Sequence, residues 1–163
     1  MTTPDMIMYE DEYQRIKTII ARLRTESNAK LVFLVDKNGQ QIAAHGELEN
    51  FDATSLASLT AGNVAATDGL AKLIGEKEFS ILFHEGEKDN LHISIIGGRV
   101  ILVVIFDTRS SLGLVRLRVK RASGEMEKIF DTMAKKGEAA ELGGEASPFS
   151  EITEEDIDAL FSE

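Results

Sequence analysis

The sequence contains no cysteine, which excludes disulfides, thiolate metal sites and a cysteine nucleophile and agrees with a reducing compartment. It is short of positive charge: 18 Lys and Arg stand against 28 Asp and Glu, a formal net charge of −10. Such a chain repels phosphate backbones and anionic lipid, so nucleic acid and a membrane surface are poor partners. No apolar run approaches the length of a membrane span, and the first residues, MTTPDMIMYEDEY, lack the basic and then apolar order of a signal peptide. The expectation is a cytoplasmic protein. Its 163 residues suffice for one domain with a sizeable core plus a tail.

Signatures of chemistry are equally scarce. There is no G-x-x-x-x-G-K-[ST]; the nearest stretch, GLAKLIGEKE, has its glycines inside and at the end of a helix, where no loop of amides could cradle phosphate. His45, His84 and His92 fall at strand ends or at alternating strand positions, without the i, i+4 spacing of a helical metal site. No G-x-S-x-G elbow offers a serine nucleophile. The acids concentrate in helix starts, turns and the tail, where capping and solvation account for them. These absences predict no bound nucleotide, metal or other cofactor, and no catalytic residue.

One further absence is local. ATSLASLTAGNVAAT, from Ala53 to Thr67, carries no charged side chain although 28% of the chain is charged, where about four charges would be expected. At 100° per residue, Leu56, Leu59, Ala66, Leu70 and Leu73 share one side of a helix and are expected on the protein's own core. Ala57, Ala61, Ala65 and Gly69 recur every fourth residue on the other side. Small residues at that spacing let another backbone approach closely, and an uncharged patch on a soluble protein marks a protein contact. A tightly packed core helix also uses small residues for space, and the residues alone leave both readings open.

The remaining elements follow from periodicity. Tyr9, Tyr13, Ile16, Ile20 and Leu23 define a first amphipathic helix, with Glu10, Asp11 and Glu12 at its start where the dipole favours them. LVFLV (31–35) and QQIAAH (40–45) flank DKNG, whose Asn38 and Gly39 tolerate positive φ, as a tight hairpin requires. Asp52 is a candidate N-cap for the charge-free helix and Gly75 its stop. FSILFH (79–84), LHISII (91–96) and RVILVVIF (99–106) read as three more strands, the last two joined at Gly97 and Gly98. Because 100–106 is apolar at both parities, helices are expected on both faces of the sheet. Leu112, Val115, Val119, Ala122, Met126, Ile129 and Met133 mark a last helix, with Gly124 a candidate weak point in it.

After Lys136 the composition changes. KGEAAELGGEASP (136–148) is rich in Gly, Ala and Glu and reads, over 137–148, as a flexible linker. In 149–163, FSEITEEDIDALFSE, Thr153 can cap a short helix with an apolar edge of Ile157, Leu160 and Phe161. So short a helix is marginal alone and suits docking into a basic groove, or folding back on its own domain. The basic run Arg116, Arg118, Lys120 and Arg121 stands out in an acidic chain. It reads as surface pairing with acids of the first helix or the tail, as a patch for an acidic partner, or, least in keeping with the net charge, as a nucleic-acid contact.

The order α-β-β-α-β-β-β-α, with KLVFLVDKNGQ, TSLASLTAGNVAA…GLAKLIGE, RVILVVIFD, FDTRSSLGLVRLRVKRA and SPFSEIT…DIDALFSE, resembles the Roadblock/dynein-light-chain family, and within it a bacterial regulator of a Ras-like polarity GTPase. The resemblance covers almost the whole chain from about Met8. It implies an α+β sandwich of the α/β type over residues 1–136: an antiparallel sheet with one helix on one face and two on the other. It also implies a homodimer with a continuous sheet, joined at Phe79, Ile81 and Phe83, with the two central helices side by side. Otherwise FSILFH, without Pro or Lys, would be an aggregation-prone edge.

The activity implied is that of a GTPase-activating protein, not itself an enzyme, in cell polarity and gliding motility. Such proteins reposition the GTPase's own catalytic residues and insert no arginine finger. The expected GTPase-binding residues are Ala57, Ser58, Ala61, Gly62, Ala65, Asp68, Gly69 and Lys72. Phe149, Ile152, Ile157, Leu160 and Phe161 are the expected docking residues of the tail, which is a candidate for promoting nucleotide exchange. The resemblance further implies a cytoplasmic protein enriched at a cell pole. The alternatives are a scaffold or polarity adaptor that binds the GTPase without stimulating hydrolysis, and an activator that supplies Arg99 or Arg109 as a finger.

Overall fold

A computed structural model of the chain describes residues 10–143. The element order is α1 (Glu10–Ser27), β1 (Leu31–Asp36), β2 (Gln41–Gly46), α2 (Ala53–Leu73), β3 (Ile81–Glu85), β4 (Asn90–Ile96), β5 (Val100–Phe106) and α3 (Leu112–Gly143), with a single 3-10 turn at Leu48–Asn50. Five antiparallel strands form one sheet in the order β2-β1-β5-β4-β3. Two of the three hairpins, β1–β2 and β4–β5, close as their turn residues demand. Gly39 takes φ +92° while the Asp36 carboxylate accepts from the amides of Asn38 and Gln40 at 2.9 and 3.0 Å. Gly97 and Gly98 both take positive φ, 59° and 70°, and Arg99 N–H donates to the Ile96 carbonyl at 3.1 Å.

The central strand β5 is buried throughout, because each parity of its apolar run serves a different core. On one face Val32, Leu34, Leu102, Val104 and Phe106 meet Ile16, Ile20 and Leu23 of α1 and Val115, Val119, Met126 and Ile129 of α3. On the other, Leu31, Phe33, Ile93, Ile101, Val103 and Ile105 meet Ala57 and Val64 of α2. The arrangement is the sandwich of one helix against two. Glu12, buried at the start of α1, accepts from Lys136 of α3 at 2.6 Å, and Arg22 pairs with Glu125. Lys136 is the main cause that holds the Glu12 carboxyl below its usual range.

Helix α3 differs from the expectation at its end. It continues unbroken through Gly124 and on to Gly143, so the first residues of the expected linker, 137–143, are helical. Glu, Ala and Lys are good helix formers and extend a helix already nucleated by packing. Tyr9, at the expected start of α1, and the expected tail, including Phe149, Ile152, Ile157, Leu160 and Phe161, lie outside the described residues.

Candidate functional site

Helix α2 begins at Asp52, whose carboxylate accepts from Ser55 N–H at 3.1 Å and Ser55 Oγ at 2.8 Å. Those bonds hold the Asp52 carboxyl below its usual range. The faces of the helix are not those expected. Ala57, Thr60, Ala61, Val64 and Ala71 are buried, whereas Leu59, Leu70, Leu73 and the C-capping Ile74 are 73%, 59%, 83% and 67% exposed. Ala66 is exposed as well, and Leu56 alone of the five expected core residues is half-buried against the sheet.

The physical reason lies under the helix. The sheet face below α2 is built of Leu31, Phe33, Ile101, Val103 and Ile105, which fill the space that large helix residues would need. Close approach then selects alanine. At the β1–β2 turn the helix comes within van der Waals reach: a Cβ on Gly39 would meet Ser58 Cα at 3.4 Å and Ala61 Cβ at 3.7 Å. Ala57 and Ala61, at 2% and 8% exposure, are therefore anchors to the chain's own sheet and offer no surface to a partner. Ser58, Gly62, Ala65, Gly69 and Lys72 line the outer faces of the helix, and Asp68 is half-buried with Lys37 Nζ 3.9 Å from its carboxylate.

What α2 presents outward is a seam. Leu59, Asn63, Ala66, Leu70 and Leu73 are spaced 4, 3, 4 and 3, the a/d spacing of two helices packed side by side. Asn63 Nδ2 lies 3.1 Å from His84 Nε2 of β3, which makes the seam continuous with the sheet edge. Among the described residues strand β3 pairs only with β4, and Ile81 and Phe83 on it are 51% and 38% exposed, Phe83 stacking on Phe106 at 6.2 Å. Phe79 is half-buried and precedes the strand. Sequence reasoning missed the seam because it assigned the large residues inward. The 4-3-4-3 spacing above a strand pair apolar on both faces was the available signal.

The two arginines considered as fingers differ. Arg109 is held by Asp107 at 3.0 Å and by Glu47 at 3.5 Å; Asp107, and Glu47 after it, raise the Arg109 pKa, and Arg109 in turn lowers that of Asp107. Arg99 sits exposed in the β4–β5 turn. No group of His, Asp or Glu that could hold a metal occurs among the described residues. No described helix is long and apolar enough to cross a membrane. The basic run does not pair with α1: among the described residues Arg116, Arg118, Lys120 and Arg121 have no ion-pair partner, while α3 meets α1 through Glu125 and Lys136.

Comparison with known proteins places this geometry. The Roadblock/LC7 domain model matches residues 15–106. Among solved structures, MglB of Myxococcus xanthus is 62% identical, with 78% of this chain and 96% of that chain covered and a TM-score of 0.75. The gliding protein MglB of Thermus thermophilus is 34% identical, with 80% and 99% covered and a TM-score of 0.73. An uncharacterised protein of Methanocaldococcus jannaschii is 27% identical, over 71% of this chain and 96% of its own length. The strand order, the two-against-one helices and a domain match over more than half of the sequence converge, and the chain belongs to the Roadblock/LC7 family.

Proposed function

We propose that this protein is a homodimeric activator of a Ras-like GTPase of the MglA type, acting in the cytoplasm near a cell pole in polarity and gliding motility. The observation that carries the reading is the outward seam of α2, uncharged from Ala53 to Thr67 and joined to the open β3 edge through Asn63 and His84. Pairing β3 with its copy satisfies the unpaired edge amides and carbonyls and brings two seams together. Self-association has a precedent in a relative 32% identical to this chain, solved as "MglB with tetrameric arrangement". Ser58, Gly62, Ala65, Asp68, Gly69 and Lys72 then border the paired helices and form the surface on which the GTPase sits.

Activation proceeds without a donated catalytic group. Arg109 is engaged by Asp107 and Glu47, which supports repositioning of the GTPase's own residues over insertion of a finger. The protein is thus a regulator and not an enzyme, and its tail adds affinity by tethering or alters nucleotide exchange. An activator must stabilise the transition state of hydrolysis over the GTP-bound ground state of its GTPase. GTP turnover by the GTPase with and without this protein is the test: unchanged turnover, with equal affinity for the GTP- and GDP-loaded states, would favour the adaptor reading.

A further inference from the structure

On the face of the sheet opposite α2, a groove of about 640 Å³ runs between α3 and the β3–β4 edge. Its apolar wall includes Leu117, 61% exposed, and Ile81, 51% exposed in the single protomer, and its rim carries the exposed cations Arg116 and Lys120 with one exposed acid, Glu127. Its floor is polar and unsatisfied. Among the described residues, both ring nitrogens of His92 and the hydroxyls of Ser94 and Ser123 have no hydrogen-bond partner, although His92 and Ser94 are 1% and 5% exposed. Burial, and Arg116 after it, hold the His92 pKa below its usual value, so the imidazole is neutral at pH 7. Buried polar groups left unpaired call for a ligand or partner that brings hydrogen-bonding groups of its own.

We infer that this groove receives the chain's own acidic segment, residues 149–163. The segment carries Glu151, Glu154, Glu155, Asp156, Asp158 and Glu163 with no Lys or Arg, and it carries the apolar edge Ile157, Leu160 and Phe161. That composition complements a groove with apolar walls and a rim on which two cations outnumber one acid. The length fits. Lys120 lies about 35 Å along the helix from Gly143 at 1.5 Å per residue, and residues 144–157 reach about 45 Å when extended. Tethering supplies an effective concentration of about 1 mM, so an intrinsic Kd of about 0.1 mM leaves the segment docked about 90% of the time. The groove thus holds the tail until the GTPase draws it off; that release rests on the activator reading, whereas docking does not.

The absence of cysteine makes the test direct. A nitroxide attached through Ser162→Cys in the full-length protein should broaden the amide signals of Leu117–Gly124 and Ile81 several-fold and leave β2, at the far edge of the sheet, untouched. Arg116→Glu with Lys120→Glu should abolish that broadening while signal dispersion stays native. Unbroadened α3 signals would overturn the inference. So would broadening of Leu117–Gly124 that is equally strong in a mixture of isotope-labelled chains without the nitroxide and unlabelled chains with it, since the occupant would then be another chain's tail; Ile81, on the strand that the proposed dimer pairs, does not enter that comparison. Adding GTP-analogue-loaded GTPase should restore the signals. Persistent broadening alongside stimulated GTP turnover would refute release alone, and absence of any stimulation would identify failure of the activator reading instead.

Discussion

Truncating the seam leucines separates the protomer from its assembly. Leu59 and Leu70 are 73% and 59% exposed in the single protomer, so Leu59→Ala with Leu70→Ala removes little from the protomer's own core. In the proposed dimer both are covered by the facing helix. Each truncation deletes three carbon groups at about 0.8 kcal/mol apiece, and scaling by the exposed fraction leaves about 1.6 kcal/mol per leucine. Four leucines per dimer give about 6 kcal/mol, or about four powers of ten in Kd. Sedimentation velocity at low micromolar concentration should then show a monomer whose thermal melt matches that of the wild-type protomer at matched dissociation. An unchanged dimer would refute the seam. A loss of about 2–5 kcal/mol in protomer stability, as for a core leucine, would refute its outward orientation.

Three other outcomes follow from the same geometry. Ala65→Arg with Gly69→Arg should fold, since both positions lie on the outer side of α2 and a Cβ at Gly69 meets nothing within 4 Å, yet should not stimulate the GTPase; light scattering must accompany the assay to separate loss of the GTPase from loss of the dimer. Arg99→Ala and Arg109→Ala should each keep most activity at saturating protein, whereas a finger arginine is worth about 10³ to 10⁵ in rate, so a fall of that size with binding intact would restore the finger model. The Glu12 carboxyl is depressed by Lys136, so its contribution is present above the unfolded carboxylate pKa and is lost as pH falls through the lower folded value. Stability measured from neutral pH into the acid range should therefore fall less steeply in Glu12→Gln than in the wild type, and parallel curves would contradict the assignment.

The elements were legible because their signals are local. The apolar run LVFLV, the Gly97–Gly98 turn and the cap at Asp52 each act through their own backbone, and the doubly apolar run 100–106 required a covered sheet on both sides. The facing of α2 was not legible by the same logic. Hydropathy favours leucine over alanine inside, but the bulk of Phe33, Ile101 and Ile105 beneath the helix favours the small Ala57 there, and that constraint is non-local. The leucines left outside are then material for an interface. The length of α3 was missed for a different reason: a Gly- and Glu-rich composition reads as linker, yet a helix nucleated by its packing on α1 and the sheet extends through Lys136 to Gly143 at little further entropic cost. His92, read as a strand position without metal-ligand spacing, became informative only when β4 was seen to place it, with Ser94, beneath α3 without partners among the described residues.

The central claim, that this Roadblock/LC7 chain accelerates hydrolysis by a Ras-like GTPase, is met most directly by single-turnover GTP hydrolysis by that GTPase with saturating full-length protein. The account predicts a rate well above the intrinsic one, retained in Arg99→Ala and Arg109→Ala and abolished by Ala65→Arg with Gly69→Arg. An intrinsic rate unchanged at saturation, with the complex formed equally in both nucleotide states, would contradict it and leave the protein an adaptor.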